Sequence, residues 1–352
     1  MPEDALEEIK AQLRARKKKV TKKGLSSGST LLNLALTGNA NWGFSNGSYY
    51  LLVGKSSSGK SWLSLTTLAE AANNVLYDDY RLIYDAPERG ARMSMEKFFG
   101  RKMAERLEWK YSVTVEDFYY ALDDVVQDGR PFIYVEDSES SLTSRDEGSK
   151  FQEQKLAYRK GKDVSGSYGD GKAKKHSTNL RRVIHDLERT KSILLLVSQS
   201  RDNIGFGAQF NPETRAGGRA LTFYATAEMW FGLRGGIKKG VRGKQRKIGT
   251  ILQVKVKKNR DTGREPTIEL YHYPSHGLDD VGACVGYLVE EKYWKKGDKT
   301  IDAKDFEIKG SAEKIVEWIE ENSKESELRD LVQNLWDEVD KECSVNRKKR
   351  YE

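Results

Sequence analysis

The chain has 352 residues, of which 37% are hydrophobic and 32% charged, enough for one large core with appendages or two to three domains under a heavily charged surface. No stretch approaches the roughly 18 consecutive apolar residues of a membrane span, and the charged opening MPEDALEEIK lacks an apolar signal segment. Cys284 and Cys343 lie far apart, which argues against a zinc site or disulfide framework and, with the other features, predicts a cytoplasmic protein with no membrane partner.

The 61 Lys+Arg against 53 Asp+Glu leave a net charge of +8, which is compatible with nucleic acid. Basic residues crowd into Arg14–Lys23, Lys150–Lys175, Lys238–Lys247, Lys255–Arg264 and Arg347–Arg350. A charge run is by itself usually only a solvated face.

Residues 3–19 read as a charged helix with sparse apolar positions (Leu6, Ile9, Leu13), too lean to fold without packing on something else. From Gly24 to about Gly277, short apolar runs alternate with amphipathic helices. Tyr49–Val53, Leu82–Tyr84, Phe132–Val135 and Ile193–Val197 read as strands buried on both faces. Ser61–Ala72, Val115–Gln127 and Asn179–Arg189 read as the helices between them, so the expected architecture is α/β with a doubly wound, mainly parallel sheet. Residues 160–175 are rich in Gly, Ser and Lys and read as a mobile basic loop. After Met229 the chain is again strand-like over Ile248–Lys257 and Thr267–Tyr273, joined by a turn at Asp261–Gly263. The expected division is 1–24, 25–277 and a small C-terminal α+β domain over 278–352. In that last part Leu328, Leu331, Leu335 and Val339 mark one helix face, and Trp318 and Trp336 belong to the core.

Gly54-Lys55-Ser56-Ser57-Ser58-Gly59-Lys60-Ser61 fits the pattern G-x-x-x-x-G-K-[ST] between an apolar strand and a helix. Glycines let backbone N–H groups curl around phosphate oxygens, and the helix N-terminus adds partial positive charge. Gly54, Ser57, Ser58 and Gly59 are the expected cradle for ATP, Lys60 the contact to the β- and γ-phosphates, and Ser61 a Mg²⁺ ligand. The strand Phe132–Val135 ends in Glu136 and Asp137. Asp137 is the expected second metal-site carboxylate, because Glu136 on a strand points to the other face. A third strand ends in Asp85-Ala86-Pro87-Glu88, whose carboxylates could polarise a water attacking the γ-phosphate.

The segment Ser198–Ala225, with a Gln after an apolar strand, Arg-x-x-Ile-Gly and then Asn-Pro-Glu-Thr-x-x-Gly-Gly-x-Ala-Leu-x-Phe-Tyr-Ala, closely resembles the second DNA-binding loop of RecA. Leu25–Leu36 is similar to the segment leading into the RecA phosphate loop, and Val254–Arg260 to the RecA strand whose lysines reach a neighbour's ATP. The resemblance covers about residues 25–277. Divergence elsewhere suits a distant relative, such as the phage-encoded branch that includes UvsX.

The resemblance implies a RecA-like P-loop ATPase core with an N-terminal oligomerisation helix. It implies an ATP-dependent recombinase that forms helical filaments on single-stranded DNA, pairs it with double-stranded DNA, and works with single-strand-binding and loader proteins. Gln199 would sense the γ-phosphate. Ile204, with Gly205, would wedge between nucleotide triplets, while Arg201 and Arg215 would meet phosphates and Gly217 and Gly218 would let the backbone approach DNA. Lys172 and Lys174 fall in the counterpart of the first DNA-binding loop, and Lys258 and Arg260 would complete hydrolysis across the subunit interface. A RecA-like hexameric helicase is the alternative.

Three departures stand out. RecA reads Asp-Ala-Glu where this chain reads Asp85-Ala86-Pro87-Glu88, so the catalytic glutamate is assigned to Glu88, with Asp85 second. The adenine-covering aromatic has no clear counterpart, leaving Met95, Phe98 and Phe99 as candidates. The tail Asn346–Glu352 is basic where RecA's is acidic, which suggests looser restraint on duplex binding.

Overall fold

The computed structural model describes residues 24–160, 170–202, 213–215, 217–298, 300–345, 347, 348, 350 and 351. The expected N-terminal helix, Ser165–Gly169, Ile204 and Gly205 lie outside the described residues.

A short ribbon of β1 (Gly24–Leu25) and β2 (Phe44–Ser45) brackets helix α1 (Thr30–Thr37) and leads into the central sheet. Six strands of that sheet run parallel: β3 (Ser48–Gly54), β4 (Arg81–Asp85), β5 (Leu107–Lys110), β6 (Phe132–Glu136), β7 (Ile193–Asp202) and β9 (Ala227–Val241). Their order across the sheet is 9-3-7-6-4-5, so β3 sits near the centre. An antiparallel flank of β10 (Lys244–Asn259), β11 (Thr267–Tyr273) and β12 (Gly277–Asp279) extends the β9 edge, and β8 (Glu213–Arg215) pairs with the outer end of β7. Parallel strands covered on both faces need near-continuous apolar runs. Tyr49–Val53, Ile133–Val135 and Ile193–Val197 supply them, with every one of these residues buried.

Helices cover both faces. One face carries α1, α2 (Lys60–Asn73), α3 (Met95–Phe99) and α4 (Arg101–Arg106), with Leu63, Leu68 and Met103 in the core. The other carries α5 (Val115–Gln127), α7 (Asp170–Thr190) and α8 (Arg219–Tyr224), and between α5 and α7 lies α6 (Arg145–Arg159). In α5, Thr114 and Asp117 form a capping box, and Val115, Phe118, Tyr119, Leu122, Val125 and Val126 make one buried stripe. Each such fully buried apolar side chain contributes about 1.5–3 kcal/mol. Helix α6 is different, because none of its residues is buried.

Two expectations need correction. Residues 170–175 are not loop: α7 begins at Asp170, because His176, Leu180, Val183 and Leu187 give the Lys-rich stretch a buried stripe to continue. The strand after the second loop begins at Ala227 rather than near Ile248, and β9 and β10 form one long hairpin closing at Arg242–Gly243. Its outer half exposes Arg234, Lys238, Lys239, Arg242, Lys244, Arg246 and Lys247, and no acid occurs between Glu228 and Asp261.

Beyond β12 come α9 (Asp280–Glu290), the small antiparallel sheet β13 (Lys295–Lys296), β14 (Ile301–Ala303) and β15 (Ile308–Gly310), then α10 (Ala312–Glu321) and α11 (Glu325–Glu342). The apolar side chains of this segment are continuous with those of the sheet. Leu288, Trp294, Ile315, Leu328 and Val332 belong to the apolar cluster that includes α1 and the sheet, and Trp318 and Trp336 pack against it. Asp280 accepts from the backbone N–H and hydroxyl of Thr30, both at 2.7 Å, which fastens the two parts together.

Candidate nucleotide site and DNA-loop stems

The carboxyl ends of β3, β4, β6 and β7 converge, the place where open α/β sheets bind ligands. Between β3 and α2 the phosphate-loop motif turns over itself. Gly59 caps α2 at φ +91°, and a Cβ there would lie 2.3 Å from Leu252 Cδ1, so glycine is required twice over. Lys60 Nζ donates to the carbonyls of Gly54 and Lys55, both at 2.7 Å, and to Ser58 Oγ at 3.2 Å. Burial pulls the Lys60 ammonium down to about 8, against the opposing pull of Asp137 and Glu88.

Asp137 accepts hydrogen bonds from the hydroxyls of Ser61 and Tyr84. Burial raises its pKa despite those bonds and the nearby Lys60, so this carboxylate calls for a cation. The Ser61–Asp137 oxygen pair beside a helix N-terminus fits Mg²⁺ held with phosphate oxygens. Glu136 instead lies behind this site, fully buried, in register with Asp85 on β4.

The structure separates the two candidate hydrolytic carboxylates. Asp85 is fully buried, and its oxygens accept from Ser112 N–H (2.8 Å), the Ser112 hydroxyl (2.5 Å) and the Tyr134 hydroxyl (2.6 Å), so it holds strands together. Glu88 lines the phosphate-loop cavity. Its Oε1 accepts from Gln199 Nε2 and Ser138 Oγ, both at 2.8 Å, and from the Ser141 hydroxyl. Glu88 and Gln199, far apart in sequence, are therefore joined directly.

The cavity, about 350 Å³, runs from Ser56–Trp62 past Tyr84, Glu88 and Asp137 to a wall of Ala91, Met93, Thr250, Leu252 and His272. Met95, Phe98 and Phe99 are not in that wall. They pack into the apolar cluster, Phe98 and Phe99 against the Trp62 ring. The apolar surface available to a base is that of Trp62, Met93, Leu252 and His272. Sequence reading missed it because β10 and β11 supply half of it from nearly 200 residues away.

The expected DNA-contact residues divide. Arg201 and Lys174 are exposed. Arg215 turns inward, donating to the Gly218 carbonyl at 3.1 Å and the Thr222 hydroxyl, with Glu228 at 3.7 Å. Lys172 also turns inward, onto the Glu139 carbonyl at 2.6 Å and carboxylate at 3.0 Å. Both side chains thus have protein partners close to the ends of 203–212 and 161–169. Gly217 and Gly218 take φ +88° and +73° where the second loop joins α8. Lys258 donates to the carbonyls of Thr222 (2.5 Å) and Phe223 (2.9 Å), and Arg260 to that of Phe223 (2.5 Å), so both cations sit on the C-terminal end of α8. Burial, with Arg260 adding to it, lowers the Lys258 ammonium to about 8. A further link came from no motif: Lys55 of the phosphate loop pairs with Asp202 at 2.8 Å and Glu213 at 3.6 Å, the residues flanking 203–212.

Comparison with protein-family models places this geometry. The model of the RecA N-terminal domain matches residues 158–272, from the end of α6 through α7, β7, the second loop and the hairpin to β11. Over those residues the chain is similar to the RecA family. The match spans the residues on either side of 203–212 and the strand carrying Lys258 and Arg260, and it meets the phosphate-loop motif across the sheet through β7–β3 and β9–β3 pairing. Among the described residues no helix is long and apolar enough to cross a membrane.

Proposed function

We propose that the chain is an ATP-dependent DNA recombinase, which assembles head-to-tail on single-stranded DNA and pairs it with a homologous duplex. The observation that carries this reading is the Glu88–Gln199 hydrogen bond, because it joins a carboxylate in the phosphate-loop cavity to the strand that opens the second DNA loop.

Gly54–Ser61 would cradle the phosphates of ATP, Lys60 would pair with the β- and γ-oxygens, and Ser61 with Asp137 would hold Mg²⁺. The bound ion would neutralise the charge that develops on the transferred phosphoryl group. Glu88 would orient and deprotonate the attacking water, and Gln199, bonded to it, would register the γ-phosphate. Lys258 and Arg260 would leave the α8 carbonyls to reach the neighbouring subunit's nucleotide, giving an open helical assembly. Arg201, Lys174 and the basic hairpin would hold DNA by its backbone, so affinity should fall steeply with salt.

The test is ATP hydrolysis with and without single-stranded DNA, followed by strand exchange between a circular single strand and a homologous linear duplex. DNA-stimulated hydrolysis with joint molecules, both abolished in Lys60→Ala, is expected. Forked-duplex unwinding without exchange would assign the chain to the RecA-like helicases.

A further inference from the structure

Five residues after β6 connect to nearly everything described above. Asp137 faces Ser61 and Lys60, Ser138 and Ser141 donate to Glu88, and Ser140 Oγ accepts the Gln199 backbone N–H at 2.8 Å. The remaining residue, Glu139, turns away from the nucleotide cavity and is fully buried. Its Oε1 accepts from His176 Nε2 at 3.0 Å and pairs with Lys172 Nζ at 3.0 Å, and both partners stand on the first turns of α7, directly after the first-loop segment. His176 is also fully buried, and its Nδ1 lies 2.9 Å from the Tyr119 hydroxyl of α5. A protonated tyrosine donating to Nδ1 leaves the imidazole proton on Nε2, facing Glu139. The second loop's far end leans on the same carboxylate. A Cβ on Gly217 would lie 3.1 Å from Glu139 Oε1, and one on Gly218 2.7 Å from Ala173 Cβ of α7.

A buried carboxylate stripped of its partners is strongly destabilised, so the first turns of α7 and the 137–141 turn must move together or not at all. We propose that Glu139 is a positioning residue that ties the stems of both DNA loops to the nucleotide site, so that DNA binding and ATP turnover influence each other through it. The inference rests on the recombinase reading and adds to it a side chain that touches neither ligand. Composition gave no hint of it, since Glu139 and His176 are 37 residues apart.

The experiment measures two quantities on the full chain. One is hydrolysis with and without poly(dT). The other is single-strand affinity with a non-hydrolysable ATP analogue against ADP. Coupling free energy is reciprocal, so nucleotide-dependent DNA affinity and DNA-dependent nucleotide affinity must change by the same factor, typically about 5- to 150-fold. In Glu139→Gln, DNA-free hydrolysis and its KM for ATP are expected to stay as in the parent. The analogue/ADP affinity ratio should fall by roughly 5-fold or more, and DNA stimulation of hydrolysis should fall with it. His176→Asn, which shortens the reach from α7, cuts the same tie from the other side and should give the same paired decrease. Full stimulation in either folded variant overturns the inference. So does an equal drop in DNA-free and DNA-stimulated rates, the signature of a merely structural residue. Parent hydrolysis that ignores DNA overturns the recombinase reading itself, before any variant is compared.

Discussion

Glu136 makes a pH-dependent prediction that can be worked through. Its side chain is fully buried beside the Asp85 carboxylate. Burial first, then the Asp85 carboxylate beside it, push its pKa well above the ordinary 4.5, with Asp137 and Glu139 adding to the effect. The native state therefore keeps a proton that the unfolded chain releases above pH 4.5. Stability should fall as pH rises from there to the native pKa, at about 1.4 kcal/mol per pH unit. Glu136→Gln keeps the shape and has no proton to lose, so its stability relative to the parent should rise with pH over that interval. Urea unfolding of both proteins at about pH 5.5, 6.5 and 7.5 measures the difference. A difference that does not change with pH would refute the argument, and would mean that Glu136 is ionised in the native protein.

Other expectations follow from the same geometry. Glu88→Gln should bind ATP and single-stranded DNA yet lower hydrolysis by about 10²- to 10⁴-fold, the usual range for a lost general base; single-turnover kinetics would expose a rate near the parent's if the assignment is wrong. Gly59→Ala forces a Cβ into the left-handed region, which costs about 1–2 kcal/mol, and toward Leu252. It should lower the melting temperature and abolish nucleotide binding, and a variant as stable as the parent would contradict the turn's geometry. Replacing Lys238, Arg242, Lys244 and Arg246 by Gln should weaken DNA binding and reduce the salt slope by about one for each phosphate left without its cation. DNA-free hydrolysis should not change, and an unaltered salt slope would remove the hairpin from the DNA surface.

What the sequence made legible follows from how locally each feature is encoded. Buried parallel strands need unbroken apolar runs, and the phosphate loop needs its glycines in order, so Tyr49–Val53 and Gly54–Ser61 could be read directly. Strand β9 could not be, because Gly232, Gly235, Gly236 and Gly240 erase the alternation that its exposed half would otherwise show. Helix α6 has no buried stripe, leaving the Ser144–Glu147 capping box as its only local mark. The choice between Asp85 and Glu88 turned on side-chain partners from Ser112, Tyr134 and Gln199. The ion pairs of Lys172 with Glu139 and of Arg215 with Glu228 could not be read locally, since their partners lie 33 and 13 residues away.

Strand β10 has a consequence for how this protein can tolerate change in length. It begins in the exposed hairpin, passes Thr250 and Leu252 in the cavity wall, and ends at Lys258 and Asn259. Along its inner half Leu252, Val254 and Val256 are buried while Gln253, Lys255 and Lys257 are exposed. Because strand side chains alternate faces, gaining or losing one residue there would bury the lysines and expose the aliphatics together. Residues added in pairs at the Arg242–Gly243 turn would lengthen the hairpin without disturbing that register. The hairpin tip is thus free to vary in reach, while the stretch from Thr250 to Lys258 is fixed in length by two surfaces at once.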